Sequence, residues 1–367
     1  MEYKEENILP IQNDQPELVF LFGAGASYGD GIPVQSDLIP LILNDKDLQL
    51  SKSVAGKIIR AFLKDNFSTN KRYPTLEEVF GFIDFHINNE LSLSKIWTLN
   101  ELRDLKVYFT KVLHYVISSK TKQSDFFRIF WEKIKIARKE IGVITTNYDT
   151  LIDEAFDIIY SEYLIDYCID LINFRYPNDI TPFDWWINPT QPVTQFGEKK
   201  PIRTKLIKIH GSLNWKYCNC CGQVGLTPWQ HRINLKKDSF ESFFESEITT
   251  CPFDNNKLSS LIQVPTHLKT NTNLIFNKLY DEAGYTIRGA KTLVIVGYSF
   301  PEADVHIRAM IKRNFNHENR IIVVNKSSAK DLIYRYESLS KNVEYHEMTF
   351  ERFLKSRLFE RIIKNGR

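Results

Sequence analysis

Short apolar runs without strict alternation recur along the chain, each closing on a glycine, a polar residue or an asparagine. The clearest are 18–22 (LVFLF), 141–145 (IGVIT) and 292–296 (TLVIV), each followed by helical spacing. A fourth, 321–324 (IIVV), ends at Asn325, and 206–209 (LIKI) runs into His210-Gly211. Runs of this kind suit strands buried on both faces, as in a parallel sheet covered by helices. Between the first two, apolar residues fall three and four apart in 55–63, 102–117 and 126–136, the mark of amphipathic helices. The pattern predicts an α/β fold whose core is assembled from 1–44, 140–160, 200–215 and 265–367. Three insertions interrupt it: a helical one at 45–139, an irregular aromatic one at 161–200 that holds Trp185 and Trp186, and a small Cys-containing module at 216–264.

Composition narrows the class. With 367 residues the chain has room for roughly two domains of about 150 residues. At 43% hydrophobic and 25% charged it is an ordinary globular sequence, neither disordered nor collagen-like. A net charge of +3, left over from 48 basic and 45 acidic residues, supplies no whole-protein field, so direct nucleic acid binding is not expected. The first residues are acidic and polar, with no basic segment leading into an apolar run, and no apolar stretch reaches membrane-spanning length. A cytoplasmic protein without a signal peptide or a membrane span is expected. Of the five cysteines, four lie between Cys218 and Cys251, which reads as a metal knuckle in a reducing compartment.

The candidate chemistry sits where the runs end. The first exits into Gly23-Ala24-Gly25-Ala26-Ser27. Glycines at a strand's carboxyl end let backbone amides approach a pyrophosphate, although the same residues suit a plain tight turn, and Gly29 lies one residue beyond the usual dinucleotide spacing. The second enters Thr145-Thr146-Asn147-Tyr148-Asp149. Here Asp149 can cap the next helix, or Asn147 can hold a ribose hydroxyl and a water. His210, followed by Gly211 and Ser212, can act as a general base near neutral pH or bond backbone at a turn, with Gly211 letting a ligand come close. Gly297-Tyr298-Ser299-Phe300-Pro301 suits a second phosphate or ribose contact, with Pro301 opening a helix at Glu302, and Asn325 suits ribose or base edges. Ligands of open α/β sheets bind outside the carboxyl ends of strands, and five such ends carry these residues.

The order and spacing of these motifs resemble the sirtuin family. GAGAS followed by Gly31-Ile32-Pro33 is similar to its GAG-I-S and GIP element, TTNYD to its T-Q-N-I-D, KIHGS to its catalytic H-G, GYS to its G-T-S and VVN to its closing I-N. More narrowly, TTNYD, KIHGSLNW and GYSFPEADVHI resemble the bacterial sirtuin-like NAD-hydrolysing domains of antiphage defence, as in Thoeris and the sirtuin–HerA and sirtuin–Argonaute pairs. The chain departs from deacylating sirtuins in three places. Val34-Gln35-Ser36 stand where they carry Asp-Phe-Arg, Thr146 stands where they carry Gln, and the second pair of the zinc knuckle reads Cys251-x-x-Asp254.

The resemblance implies a Rossmann-like parallel sheet and an NAD+ glycohydrolase that releases nicotinamide as the effector of an abortive-infection system. It implies Asn147, His210 and Asp149 as catalytic residues. Gly23, Ala24, Gly25, Ser27, Ile32, Tyr148, Gly297, Ser299 and Asn325 would bind NAD+, the substrate. Structural zinc would sit on Cys218, Cys221 and Cys251, with Asp254 or His231 as fourth ligand. A homo-oligomer under a separately encoded regulator, such as a HerA-like ATPase or a short Argonaute, is the expected assembly. The alternatives are an NAD-dependent protein deacylase and a catalytically silent sensor of NAD or ADP-ribose.

Overall fold

In the computed structural model, which describes residues 15–44, 50, 53–68, 72–120, 124–160, 164–171, 183–186, 203–226, 250–264, 273–301 and 304–365, the apolar runs become neighbouring strands. The chain enters on β1 (Leu18–Phe22), turns through α1 (Ala24–Ser27), and passes through α2 (Gln35–Asn44), α3 (Val54–Asn66), α4 (Leu76–Asn88), α5 (Leu99–Lys120) and α6 (Asp125–Ala137). Next come β2 (Gly142–Thr145), α7 (Leu151–Ile159), β3 (Leu164–Leu171), β4 (Phe183–Trp186) and β5 (Arg203–Lys208). A small sheet follows, from β6 (Gly211–Cys218), β7 (Val224–Leu226) and β8 (Leu258–Ile262). The remainder alternates: α8 (Leu274–Arg288), β9 (Thr292–Val296), α9 (Val305–Asn314), β10 (Arg320–Asn325), α10 (Lys330–Glu337), β11 (Asn342–Glu347), α11 (Phe350–Leu354) and α12 (Arg357–Asn365).

The main sheet has eight strands in the order β11-β10-β9-β1-β2-β5-β3-β4. Seven run parallel and β4 pairs antiparallel with β3. β1 lies at the centre, with Phe20 beside Val143 of β2 and Val294 of β9. All five of its side chains are buried because helices cover both faces. On one face Phe20 and Phe22 meet Phe127 and Phe130 of α6 edge-on, and Phe350 and Phe359 close the same cluster. On the other, Gly142 leaves room for Thr286 of α8, whose Cγ2 would lie 2.6 Å from a Cβ there. The α/β reading of the sequence therefore holds, with helices on both sides of a Rossmann-like sheet.

Three strands of the main sheet escape the sequence pattern, β11, β3 and, paired with β3, β4. β11 is an edge strand with half-buried and exposed positions (NVEYHE), so it has no apolar run to betray it. β3 falls inside the stretch read as irregular, yet it joins the main sheet beside β5. The helix expected from Glu302 is α9, which starts at Val305; Glu302 itself lies outside the described residues. Within 45–139, α3, α4 and α5 pack on one another and on α2, around Phe62, Phe82 and Trp97. α6 instead lies on the sheet, where the Trp131 indole donates to the Ile152 carbonyl at 3.0 Å.

One polar interaction stitches β5, α7 and β3 beneath the site. Lys208 and Asp153 have no exposed side-chain area, and their N···O distance is 3.0 Å. The ammonium also donates to the Asp149 carbonyl at 2.6 Å, and the Tyr167 hydroxyl donates to Asp153 at 2.7 Å. A buried charge stripped of its partner is far costlier than the intact pair. Lys208→Met is therefore expected to lower stability by about 3–5 kcal/mol, read as the urea midpoint of a two-state transition. A midpoint equal to wild type would show that the pair does not hold these elements together.

Candidate functional site

The first turn of the site is an interlock of glycines. Gly23 N donates to Val296 O at 2.9 Å and Gly25 N to Gly297 O at 2.8 Å, which docks the exit of β1 against the exit of β9. Gly297 has φ +63°, and a Cβ there would lie 2.3 Å from Ala26 N; one at Gly23 would lie 2.7 Å from Tyr298 Cα. Backbone must come this close for the two exits to share one cavity, so only glycine fits. The interlock also means that the Gly23 and Gly25 amides are already committed to the sheet.

Beside this turn a cavity of about 910 Å³ opens at the carboxyl edge of the sheet. It brings together Ala24, Gly25, Ile32, Asn147, Tyr148, Asp149, His210, Gly297, Ser299 and Asn325, all singled out from the sequence. Gly23 and Ser27 are not on its wall. They stand one layer behind it, holding the residues that are.

Asn147 is buried, and its Nδ2 donates to the Gly23 carbonyl at 3.1 Å and the Ser27 hydroxyl at 3.0 Å. A carbonyl can only accept, so this pairing fixes the amide orientation and turns Oδ1 to the opposite side as an acceptor. The Ser27 hydroxyl also lies near the Asp149 carboxylate and favours its charged form. Asp149 also accepts from Leu151 N at 3.2 Å, so it supports the first turn of α7 and lines the cavity at once. Burial pushes its carboxyl above the usual range, Asp153 adds to the rise, and Lys208, the Leu151 amide and Ser27 pull against it. Half-buried Asp30, in the turn after α1, is pushed up to about 6, chiefly by burial, with the Ser124 hydroxyl pulling it down and the Asp149 charge adding to the rise.

His210 follows β5 in a tight turn, and Gln263 N donates to its carbonyl at 2.8 Å. Gly211 does not make room for a ligand, as its sequence context suggests. It has φ +80°, and a Cβ would fall 2.0 Å from the Leu261 carbonyl, so it is there to let β6 start directly against β8. The Tyr148 ring stands 6.2 Å from that of His210, and its hydroxyl donates to Gln263 O at 2.6 Å. The Tyr148 carbonyl accepts from Leu213 N at 3.0 Å, tying the Asn147 loop to the His210 loop. Asn325 spans the β10 exit, donating to Tyr298 O at 3.0 Å and accepting from Ser327 N at 3.1 Å.

Three residues of this neighbourhood were not foreseen. Asp304 lines the cavity with Oδ1 3.8 Å from His210 Nε2. The sequence pattern starts a helix at Glu302, which puts Asp304 inside its first turn and hides it. Lys208 and Asp153 anchor the Asn147 loop from below. The signal for Lys208 was present: a lysine inside an apolar run read as a strand buried on both faces.

Among the described residues, two clusters could hold a metal. Cys218, Cys221, Cys251 and Asp254 bring their ligand atoms within 4.8 Å of one another. Cys221 and Cys251 Sγ are 3.5 Å apart, and Cys218 Sγ lies 3.3 Å from Asp254. Zinc–sulfur bonds of about 2.3 Å in a tetrahedron give sulfur spacings close to this. The turns after Cys218 and Cys251 are alike: Gly222 N returns to Cys218 O at 3.0 Å and Asn255 N to Cys251 O at 2.9 Å. The donor set fits a structural zinc ion, with Asp254 as fourth ligand; His231 lies outside the described residues. The second cluster is His210, Asp304 and His306, also within 4.8 Å.

A family model described as "SIR2-like domain" matches residues 142–346, more than half of the chain. Among solved structures, one described as "Sir2-p53 peptide-NAD+" is 15% identical, covers 96% of this chain and 95% of that chain, and has a TM-score of 0.42. Another, "Crystal structure of a Sir2 homolog-NAD complex", is 13% identical over 96% of this chain and 92% of that one, with a TM-score of 0.44. No curated protein sequence matches.

The four-donor cluster predicts that protein purified under reducing conditions carries about one equivalent of zinc, and that chelation lowers its melting temperature. Elemental analysis of fresh, reduced protein that finds no zinc would remove the assignment.

Proposed function

The chain belongs to the family of SIR2-like domains, and on that premise we propose that it is an NAD+ glycohydrolase. The observation that carries this reading is the joining of Asn147, Asp149 and His210 on the wall of one strand-end cavity. At about 910 Å³ the cavity is at the upper end of the range for small-molecule sites, in keeping with a dinucleotide.

The chemistry asks little of an acid. Nicotinamide is a cationic leaving group, so its bond to C1 of the ribose breaks with the electron pair going to the ring and needs no protonation. Water forms the new C1–O bond, and its proton passes to His210 and then to solvent, leaving nicotinamide and ADP-ribose. In this reading Asp149 and the Tyr148 backbone hold the nicotinamide carboxamide. Oδ1 of Asn147 accepts from a ribose hydroxyl or from the attacking water, and His210 is the base. Ala24, Gly25 and Ile32 face the pyrophosphate, while Gly297, Ser299 and Asn325 face the adenosine side. Gly23 and Ser27 support them from behind. Val34-Gln35-Ser36, where deacylating sirtuins carry Asp-Phe-Arg, favours water over an acyl-lysine as acceptor.

We assign the activity to antiphage abortive infection, on the resemblance of the TTNYD, KIHGSLNW and GYSFPEADVHI motifs. Unchecked NAD+ hydrolysis would drain a cell, so the enzyme is expected to be a homo-oligomer governed by a separate protein, an ATPase of the HerA type or a short Argonaute. Outward apolar side chains on the helical stretch, such as Ile96, Val107 and Ile136, offer contact points for such an assembly.

Asn147→Ala and His210→Ala are each expected to cut nicotinamide release by about 10²-fold or more with the circular dichroism spectrum unchanged. A well-folded variant of either kind that keeps near wild-type turnover would contradict the assigned mechanism.

A further inference from the structure

Asp304 occupies the N-cap position of α9, where an aspartate ordinarily turns its carboxylate back onto the first amides of the helix, a contact worth about 1 kcal/mol. Its side chain makes no such bond. The main chain sits in a turn, with Asp304 N donating to Pro301 O at 2.9 Å, but the carboxylate runs inward and only 6% of the residue is exposed. There Oδ2 accepts from the Tyr298 hydroxyl at 2.7 Å, and Oδ1 stands 3.8 Å from His210 Nε2. A capping position has given up its local use for an interior one. Burying a carboxylate is costly unless hydrogen bonds or charge partners answer it; the Tyr298 hydroxyl supplies a hydrogen bond, and His210 supplies a charge once it is protonated.

We propose that Asp304 is the positioning residue of His210: it holds the imidazole in one orientation and tautomer, and stabilises the imidazolium formed when the ring takes a proton. The proposal rests on the reading of this cavity as an NAD+ hydrolase site. Nε2 is shut off from solvent on the side of Asp304. With a carboxylate there, the ring proton is kept on Nε2, and Nδ1 is the nitrogen left to accept from water or a ribose hydroxyl. The accepted proton makes the ring cationic beside the carboxylate, and it is lost to solvent after the product leaves. A spacing of 3.8 Å is longer than a hydrogen bond, as such contacts often are before a substrate tightens the site.

The surroundings are built for this pairing. The Tyr298 hydroxyl pins the far oxygen. Tyr148 and Tyr280 also face Asp304, and burial together with its charge pushes both phenols up, which keeps them neutral. His306, on the first turn of α9, packs its ring 5.7 Å from that of His210 and 5.0 Å from that of Tyr280. The imidazole that the mechanism charges is thus walled by two neutral phenols and by a second imidazole, that of His306.

The test compares wild type with Asp304→Asn, Asp304→Glu and Tyr298→Phe for NAD+ turnover across pH, alongside the His210 titration followed by imidazole NMR. Asp304→Asn should lower kcat by about 10²-fold with KM within about threefold. It should also move the acid limb of the rate profile, and the NMR midpoint of His210, to lower pH, because an imidazolium loses its anionic neighbour. Asp304→Glu should recover part of kcat, and Tyr298→Phe should fall between. A purely structural role would move KM and the melting temperature and leave the His210 midpoint in place. Wild-type kcat in Asp304→Asn with an unmoved midpoint would overturn the proposal. So would an absolute need for an added divalent ion, which would make His210, Asp304 and His306 metal ligands. If wild type releases no nicotinamide yet the midpoint moves, the pairing stands and the hydrolase reading is the one that falls.

Discussion

A lysine with no exposed surface dictates how the strand-end loops can lie. Lys208 sits in a strand covered on both faces, so its ammonium must find its partners inside the protein. It finds Asp153 on α7, the Asp149 carbonyl at the end of the Asn147 loop, and through Asp153 the Tyr167 hydroxyl on β3. Removing any one of these leaves a charge or a polar group without compensation in a low-dielectric interior. The loop after β2 is thereby fixed from below. Its upper side is fixed by Asn147, which donates across to the β1 exit.

From these two anchors the rest of the site follows. Asn147 bonds the Ser27 hydroxyl and Asp149 lies near it, so their polar ends meet at one side chain. The glycine interlock at Gly25 and Gly297 brings the exits of β1 and β9 close enough to form one cavity wall. On the far side, Tyr148 is bonded to the segment after β8 through Gln263, which also holds the His210 carbonyl. The small sheet, with its cysteine cluster, meets the cavity through that segment and through β6, which follows His210 directly and donates from Leu213 N to the Tyr148 carbonyl.

Much of this was legible in the sequence. The buried strands announce themselves because both faces are covered and no polar residue need alternate with the apolar ones. The strand-end motifs were visible because glycine, asparagine and histidine at such ends are few and fall in a recognisable order. What stayed hidden has physical causes. β11 is an edge strand with a mixed face, and β3 lies among aromatic and polar residues that give no continuous run. Gly211 was read as room for a ligand, because sequence cannot say that its neighbour is the Leu261 carbonyl. Asp304 was hidden inside the first turn of a helix expected from Glu302, which in fact starts at Val305. Gly23 and Ser27 were read as contacts of the ligand, yet they stand behind the cavity wall, and spacing does not reveal a cavity boundary.

The account stands or falls on which acceptor captures the ribose once nicotinamide has left. The direct measurement is nicotinamide release from NAD+ by the purified protein, with and without an acylated lysine peptide, and with products identified by mass. Hydrolysis predicts equal amounts of nicotinamide and ADP-ribose at a rate the peptide does not change. Release that requires the peptide, with the acyl group recovered on the ribose, would contradict it.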